Sequence, residues 1–340
     1  FESMGDGERY IRGGVVDPMP RKKINRILFH HHSLHQKTRH ENETLALDHL
    51  DELRDDFALR GRCEMFRVDL KSMAAAHQLH QGTNLRGHLV WAKMPHFQKL
   101  LTIRNIQPPE EDEDILQFFR EHHDPAIFME RHAMKRGEFR KLISPLVRSG
   151  HLVQDYRGGF KAVEPLSSLD LWEVKRDFLR DLVKDYPVIT LKQVERLAGS
   201  PFSPEEISDV MREFEEDGTL IKGFLVDDMH DVCWGRHDLL DGSDALSRTR
   251  DLVIPPSDPL IHYYGSLLRE RFGYGSAYLV FHREEPVAAF KANTREGVIH
   301  VTDFVGDSDL EKEALRVMKE FAWEHDMPLK GKLYERLRSR

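Results

Sequence analysis

GEFRKLISPLVRSGHLVQDYRGGFKAVE, residues 137–164, reads as a helix followed by a two-stranded hairpin that turns at Arg157-Gly158-Gly159. Pro145 is the blemish, since a proline inside a helix removes a hydrogen bond and kinks the axis. Upstream, DILQFFREHHDP (114–125) supplies an earlier helix, with a short helix in the gap that follows. Helix, short helix, helix and hairpin wing over about sixty residues is the winged-helix plan. Gln107-Pro108-Pro109 and the acidic EEDED after it mark where this unit begins, the carboxylates suiting a helix N-terminus.

The plan repeats downstream. VKRDFLRDLVKDYPVITLKQVERLAG (174–199) gives two helices joined at a Tyr-Pro turn. SPEEISDVMREFEEDG (203–218) gives a third, opened by Ser203 with Glu206 three residues on, a capping box. TLIKGFLVDDMHDVCW (219–234) supplies wing strands. The element order matches while the residues do not, which predicts tandem winged helices.

On the N-terminal side, helical periodicity begins near Arg21, with Ile24, Ile27, Leu28, His31 and Leu34 on one face. Further helices are expected over 44–57 and through DLKSMAAAHQLH (69–80), followed by a short apolar run, LVWA (89–92). On the C-terminal side AYLVF, PVAAFKA and VIHVTDF read as strands, and SDLEKEALRVMKEFAWEH (308–325) as a helix. These predict an α+β domain with helices on one side of an antiparallel sheet, then a basic tail, KGKLYERLRSR. The expected fold is mainly α with small β wings: tandem winged-helix domains plus a C-terminal α+β domain. The expected division is a flexible tail over 1–20, a helical, winged-helix-like domain over 21–106, a basic winged helix over 107–168, an acidic one over 169–240 and the α+β domain over 241–340.

Length and composition agree with several packed domains. The 340 residues are 40% hydrophobic and 32% charged, enough for real cores. No apolar run approaches a membrane span and the start has no signal-peptide core. The only cysteines, Cys63 and Cys233, make no disulfide framework or metal knuckle, which suits a reducing cytoplasm. Net charge is −8, so any surface for nucleic acid must be local. It is found from Arg131 to Lys161, where Arg131, Lys135, Arg136, Arg140, Lys141, Arg148, Arg157 and Lys161 face only Glu138 and Asp155, a local +6. Phosphates favour such a patch through counterion release. Residues 203–218 carry seven acids against Arg212, a local −6 that should repel a phosphate backbone and face solvent or another domain.

The remaining motifs are sparse. HHHSLHQ (30–36) places His31 and His35 one helical turn apart, within reach of one ion, but without supporting carboxylates or an HExxH pattern. No metal is expected. No phosphate loop, nucleophile elbow or cysteine-nucleophile motif is present, so no nucleotide cofactor is expected. Within residues 74–101, Gln78, His80, Arg86 and His88 cluster about a helix end and a glycine turn, where they could line a cleft or simply cap and solvate it.

With these segments in view, the chain resembles the winged-helix DNA glycosylases of the AlkZ/YcaQ type, and is similar to the related C-terminal regions of Lhr-type large helicases. The stretches are FLRDLVKDYPVITLKQVERLAG (178–199), GTLIKGF (218–224), WGRHDLL (234–240), RTRDLVIPPSDPLIHYYGSLLRERFGY (248–274), YLVF and PVAAFKA. RILFHHHSLHQ (26–36) and RGHLVW (86–91) are similar more weakly. The resemblance implies duplex DNA as partner and hydrolysis of the N-glycosidic bond of a damaged base. In that family a Gln-apolar-Asp or Gln-apolar-Gln pair positions the hydrolytic water. The nearby match is Gln78-Leu79-His80, with His in the third place. The resemblance thus implies an amide, Gln78, to hold water and an imidazole, His80, to take its proton, without a metal. Lys135, Arg136, Arg140, Lys141, Arg148, Arg157 and Lys161 would hold phosphates, with Arg86 and His88 beside the cleft. A non-enzymatic DNA-binding regulator or scaffold, or a protein-interaction module, stands as the alternative.

Overall fold

The computed structural model describes residues 10–11, 14–15, 18–34, 63, 68–166, 169–227, 229–241, 245–258 and 260–338. Residues 44–57 and His35 lie outside them. Tyr10–Ile11 (β1) and Gly14–Val15 (β2) pair as an antiparallel ribbon, and Met19 bridges Val226, within the stretch expected as a tail. Arg21–His31 (α1) buries Ile24 and Ile27 beside Val188, Ile221 and Leu225, and sends Leu28 and Phe29 into the main core. Leu34 is buried too, whereas His31 is only half-buried.

Leu70–Ala76 (α2) is capped by Asp69, whose carboxylate accepts the Ser72 N–H at 2.9 Å. The helix ends at Ala76 and does not continue to His80 as expected. Leu79 N–H donates back to Ala74 C=O at 2.9 Å while Gln78 holds φ of +52°, a Schellman closure with glutamine where glycine is usual. His80–Thr83 (β3) and Leu89–Ala92 (β4) then form a hairpin, followed by Met94–Arg104 (α3). β3 packs tightly because Gly82 has no side chain: a Cβ there would lie 2.6 Å from Phe97 Cε1 and 2.8 Å from Val153 Cγ1. Gly82→Ala is expected to cost about 1–3 kcal/mol by overpacking. A urea transition should show a lower midpoint at constant slope, and an unmoved midpoint would show that Phe97 and Val153 yield freely.

Glu113–Glu121 (α4), Pro125–Arg131 (α5), Arg136–Ser149 (α6), Leu152–Asp155 (β5) and Phe160–Ala162 (β6) follow in the expected order. Phe119, Phe128, Phe139, Ile143, Leu146 and Phe160 form their own core. α6 runs through Pro145, which is exposed. The sheet does not stop at this unit. Its order is β4-β3-β5-β6, so the 80–92 hairpin and the 152–162 hairpin are one structure across the expected boundary at 107. Arg104 fastens the junction, donating to Thr83 C=O at 2.7 Å, Asn84 C=O at 2.6 Å and Ser149 C=O at 3.1 Å.

Leu171–Val183 (α7), Val188–Thr190 (β7), Leu191–Ala198 (α8), Pro204–Glu216 (α9), Leu220–Gly223 (β8) and Cys233–Arg236 (β9) make the second unit, with sheet order β7-β9-β8. The Ser203–Glu206 capping box is present at 3.1 and 2.8 Å. α9 buries Ile207, Val210, Met211 and Phe214. Glu206 pairs with Lys175 at 2.6 Å, while Glu205, Asp209 and Glu216 face solvent.

After the short His237–Asp241 (α10) come Leu252–Ile254 (β10), Leu260–Tyr263 (α11), Gly265–Phe272 (α12), Tyr278–His282 (β11), Glu285–Arg295 (β12), Val298–Gly306 (β13), Glu311–Glu324 (α13), Leu329–Lys330 (β14) and Lys332–Arg338 (α14). The strands form one sheet in numerical order, antiparallel except for β13–β14. Val280, Ala288 and Phe290 pack with Val317, Met318 and Phe321 of α13, whereas Leu252, Ile254, Leu279 and Phe281 enter the main core. Both faces are therefore covered, not one as expected. The expected basic tail is α14, with Tyr334 and Leu337 buried. Arg26 of α1 forks onto Glu284 at 2.7 and 2.7 Å, tying the start of the chain to this sheet. The fold is mixed α/β, richer in sheet than the expected mainly α architecture.

Candidate nucleic-acid interface

α6 turns Phe139, Ile143 and Leu146 inward, which leaves Arg136, Arg140, Lys141 and Arg148 on its exposed side. Lys135, Arg157 and Lys161 are exposed as well. The two acids of this stretch are used locally. Glu138 accepts the Lys135 backbone N–H at 2.9 Å, and Asp155 Oδ1 accepts the N–H groups of Arg157 and Gly159 at 2.8 Å each. No ion pair to a carboxylate forms from Arg136, Arg140, Lys141 or Lys161 among the described residues. Arg148 donates to Ser144 Oγ at 3.0 Å, and Arg157 lies over the Tyr156 ring at 5.1 Å while donating to its hydroxyl at 2.7 Å. With Arg131 at the end of α5, the +6 is thus displayed to solvent on α5, α6 and the adjoining hairpin.

The β3–β5 pairing brings His80 to the β5–β6 hairpin of this surface. His80 lies opposite Asp155 in the register, and Asp155 begins the turn of the β5–β6 hairpin. Gln78 is exposed beside it. His80 is half-buried, and its Nδ1 is buried with no hydrogen-bond partner. Burial disfavours the imidazolium there, while the Gln78 backbone favours it. Burial first, then Lys161, hold the imidazole below its ordinary 6.5, while Asp155 pulls it back up. His123, another neighbour, donates from Nδ1 to Phe160 C=O at 3.1 Å. Asp155 and His123 are members of this cluster that motif spacing could not supply, because strand register over more than seventy residues brings in Asp155 and the segment between α4 and α5 brings in His123.

Arg86 and His88 are elsewhere. They sit at the far end of the β3–β4 hairpin, where His88 stacks on His262 at 5.7 Å and the Arg86 stem lies against Gly199. They belong to the junction with α8 and α11, not to the His80 cluster. Both cysteines are buried, and burial pushes their thiols up to about 12, which leaves no thiolate nucleophile at neutral pH. Among the described residues no group of three His, Cys, Asp or Glu side chains could hold a metal ion, and no helix is long and apolar enough to cross a membrane.

His151, buried at the base of α6, is also held below 6.5, chiefly by burial. Its Nε2 faces Ile106 C=O at 3.1 Å and its Nδ1 faces Ser149 Oγ at 2.7 Å, a network satisfied by the neutral Nε2–H tautomer. A lowered folded value means that the unfolded chain binds more protons. The stabilisation is present above 6.5 and is lost as pH falls through the folded values of His80 and His151. The thermal midpoint is expected to drop between pH 7 and pH 5, and His151→Gln, which cannot titrate, to flatten that slope. An equally steep slope in the variant would exclude His151.

No protein-family model matches the chain, and no curated protein matches it. Among solved structures the chain is similar in fold to a DNA glycosylase. That structure is the Streptomyces sahachiroi DNA glycosylase AlkZ, with a TM-score of 0.61 and 13% sequence identity over 93% of this chain and 100% of that one. At this identity the likeness is one of fold.

Proposed function

We propose that this protein binds double-stranded DNA through α6 and the β5–β6 hairpin and hydrolyses the N-glycosidic bond of a damaged base. Residues 107–168 and 169–240 are both read as winged helices. The first is the basic DNA-binding copy, and the second, with acids along α9, is structural. The observation that supports the reading is the single β4-β3-β5-β6 sheet, in which half-buried His80 lies opposite Asp155 and near Lys161 of the basic hairpin. The likeness in fold to a DNA glycosylase supports the same reading. The relation to helicase C-terminal regions rests on sequence alone.

In this mechanism Lys135, Arg136, Arg140, Lys141, Arg148, Arg157 and Lys161 neutralise backbone phosphates and fix the register of the duplex. The target nucleotide leaves the stack to reach the cluster. The Gln78 amide orients a water towards C1′ of the sugar. The water oxygen bonds C1′, the C1′–N bond breaks with its electron pair on the base, and the water proton passes to the neutral His80 imidazole. The depressed basicity of His80 keeps it neutral and ready at pH 7. Base release from alkylated and crosslinked duplexes is the direct test. His80 in place of Asp or Gln favours the second reading, a DNA-binding regulator or scaffold on the same fold. That reading predicts binding without release.

A further inference from the structure

We infer that Asp155 is a positioning residue for His80, supplying from the β5 strand the carboxylate that the Gln78-Leu79-His80 motif lacks. The inference rests on the glycosylase reading above and names a residue that the motif does not contain. Three observations carry it. First, the β3–β5 register sets Asp155 directly opposite His80, and directly opposed residues of an antiparallel pair project to the same face. Second, the carboxylate is held in place. Oδ1 accepts two turn amides at 2.8 Å each, and Gly159 leaves room for Oδ2, since a Cβ at 159 would lie 2.8 Å from it. Third, the groups facing His80 from the packed elements are Lys161 on β6, Asp155 on β5, His123 before α5 and the Gln78 backbone, so Asp155 is the one acid of the set.

The division of labour follows from charge. Lys161 disfavours the imidazolium and keeps His80 ready as a base. Asp155 favours the imidazolium and so stabilises the state formed when the proton of water arrives, as the glycosidic electron pair departs with the base. When a phosphate engages Lys161, its opposition weakens, which leaves Asp155 acting against burial and His123.

Asp155→Asn isolates the charge, because an amide oxygen can still accept the Arg157 and Gly159 N–H groups and keep the turn. The His80 ring is followed by NMR titration, its signals assigned by their loss in His80→Gln. His80 should titrate at lower pH in Asp155→Asn and at higher pH in Lys161→Met. Base release by Asp155→Asn should fall about tenfold or more, with the acid limb of its pH profile moved to lower pH, and Asp155→Glu should recover part of it. An unshifted His80 titration in Asp155→Asn overturns this inference whether or not base is released. A shifted titration with base release equal to wild type also overturns it. Wild type that releases no base overturns the glycosylase reading instead, a result the titration cannot imitate.

Discussion

Reversing two charges in Arg140→Glu/Lys141→Glu is expected to weaken binding to duplex DNA by roughly 10- to 100-fold at low salt, across unrelated sequences. Both side chains are exposed on α6. Neither makes an ion pair among the described residues, so no intramolecular compensation absorbs their loss. Each phosphate contact contributes ~0.9 to the slope of log affinity against log salt, so the double variant should lose about two units of slope. Because the buried face of α6 is Phe139, Ile143 and Leu146, the exposed reversal should leave the fold intact. An unchanged slope would remove α6 from the interface.

Arg104→Ala is expected to destabilise the protein by about 3 kcal/mol, since a charged donor serving partly buried carbonyls is lost and those carbonyls lack replacements. Arg104 donates to Thr83, Asn84 and Ser149, at the end of β3 and the end of α6. The same variant should loosen α6 against the hairpin that bears His80. Hydrogen exchange should therefore rise at both segments together. A change confined to one of them would show that Arg104 does not couple the two.

The basic helix and its hairpin were legible in the sequence because their signals are local: period, a Gly-Gly turn and an excess of eight cations over two acids. The end of α2 was not. A Schellman closure announces itself by glycine, and here Gln78 takes the left-handed position, so the pattern reads on through His80. The partnership of His80 with Asp155 and the three carbonyls gathered by Arg104 depend on long-range register, which no local spacing encodes. The Tyr334–Leu337 spacing, three apart, was the available signal for α14, masked by the surrounding charge. Arg86 and His88 were grouped with Gln78 by proximity in sequence, yet a hairpin separates its two ends in space.

Gln78 offers a test in which stability and activity are expected to part. Glycine at the left-handed position relieves roughly 1 kcal/mol of backbone strain. Gln78→Gly should therefore fold at least as stably as wild type while losing the amide that orients the water. The measurement that decides the account is base release from alkylated and crosslinked duplex DNA by wild type and Gln78→Gly, with unfolding midpoints taken in parallel. The account predicts release by wild type and a loss of about a hundredfold or more in a variant of equal or higher stability. Equal release by both proteins would contradict the assignment of the site, and DNA binding without release by either would contradict the enzyme.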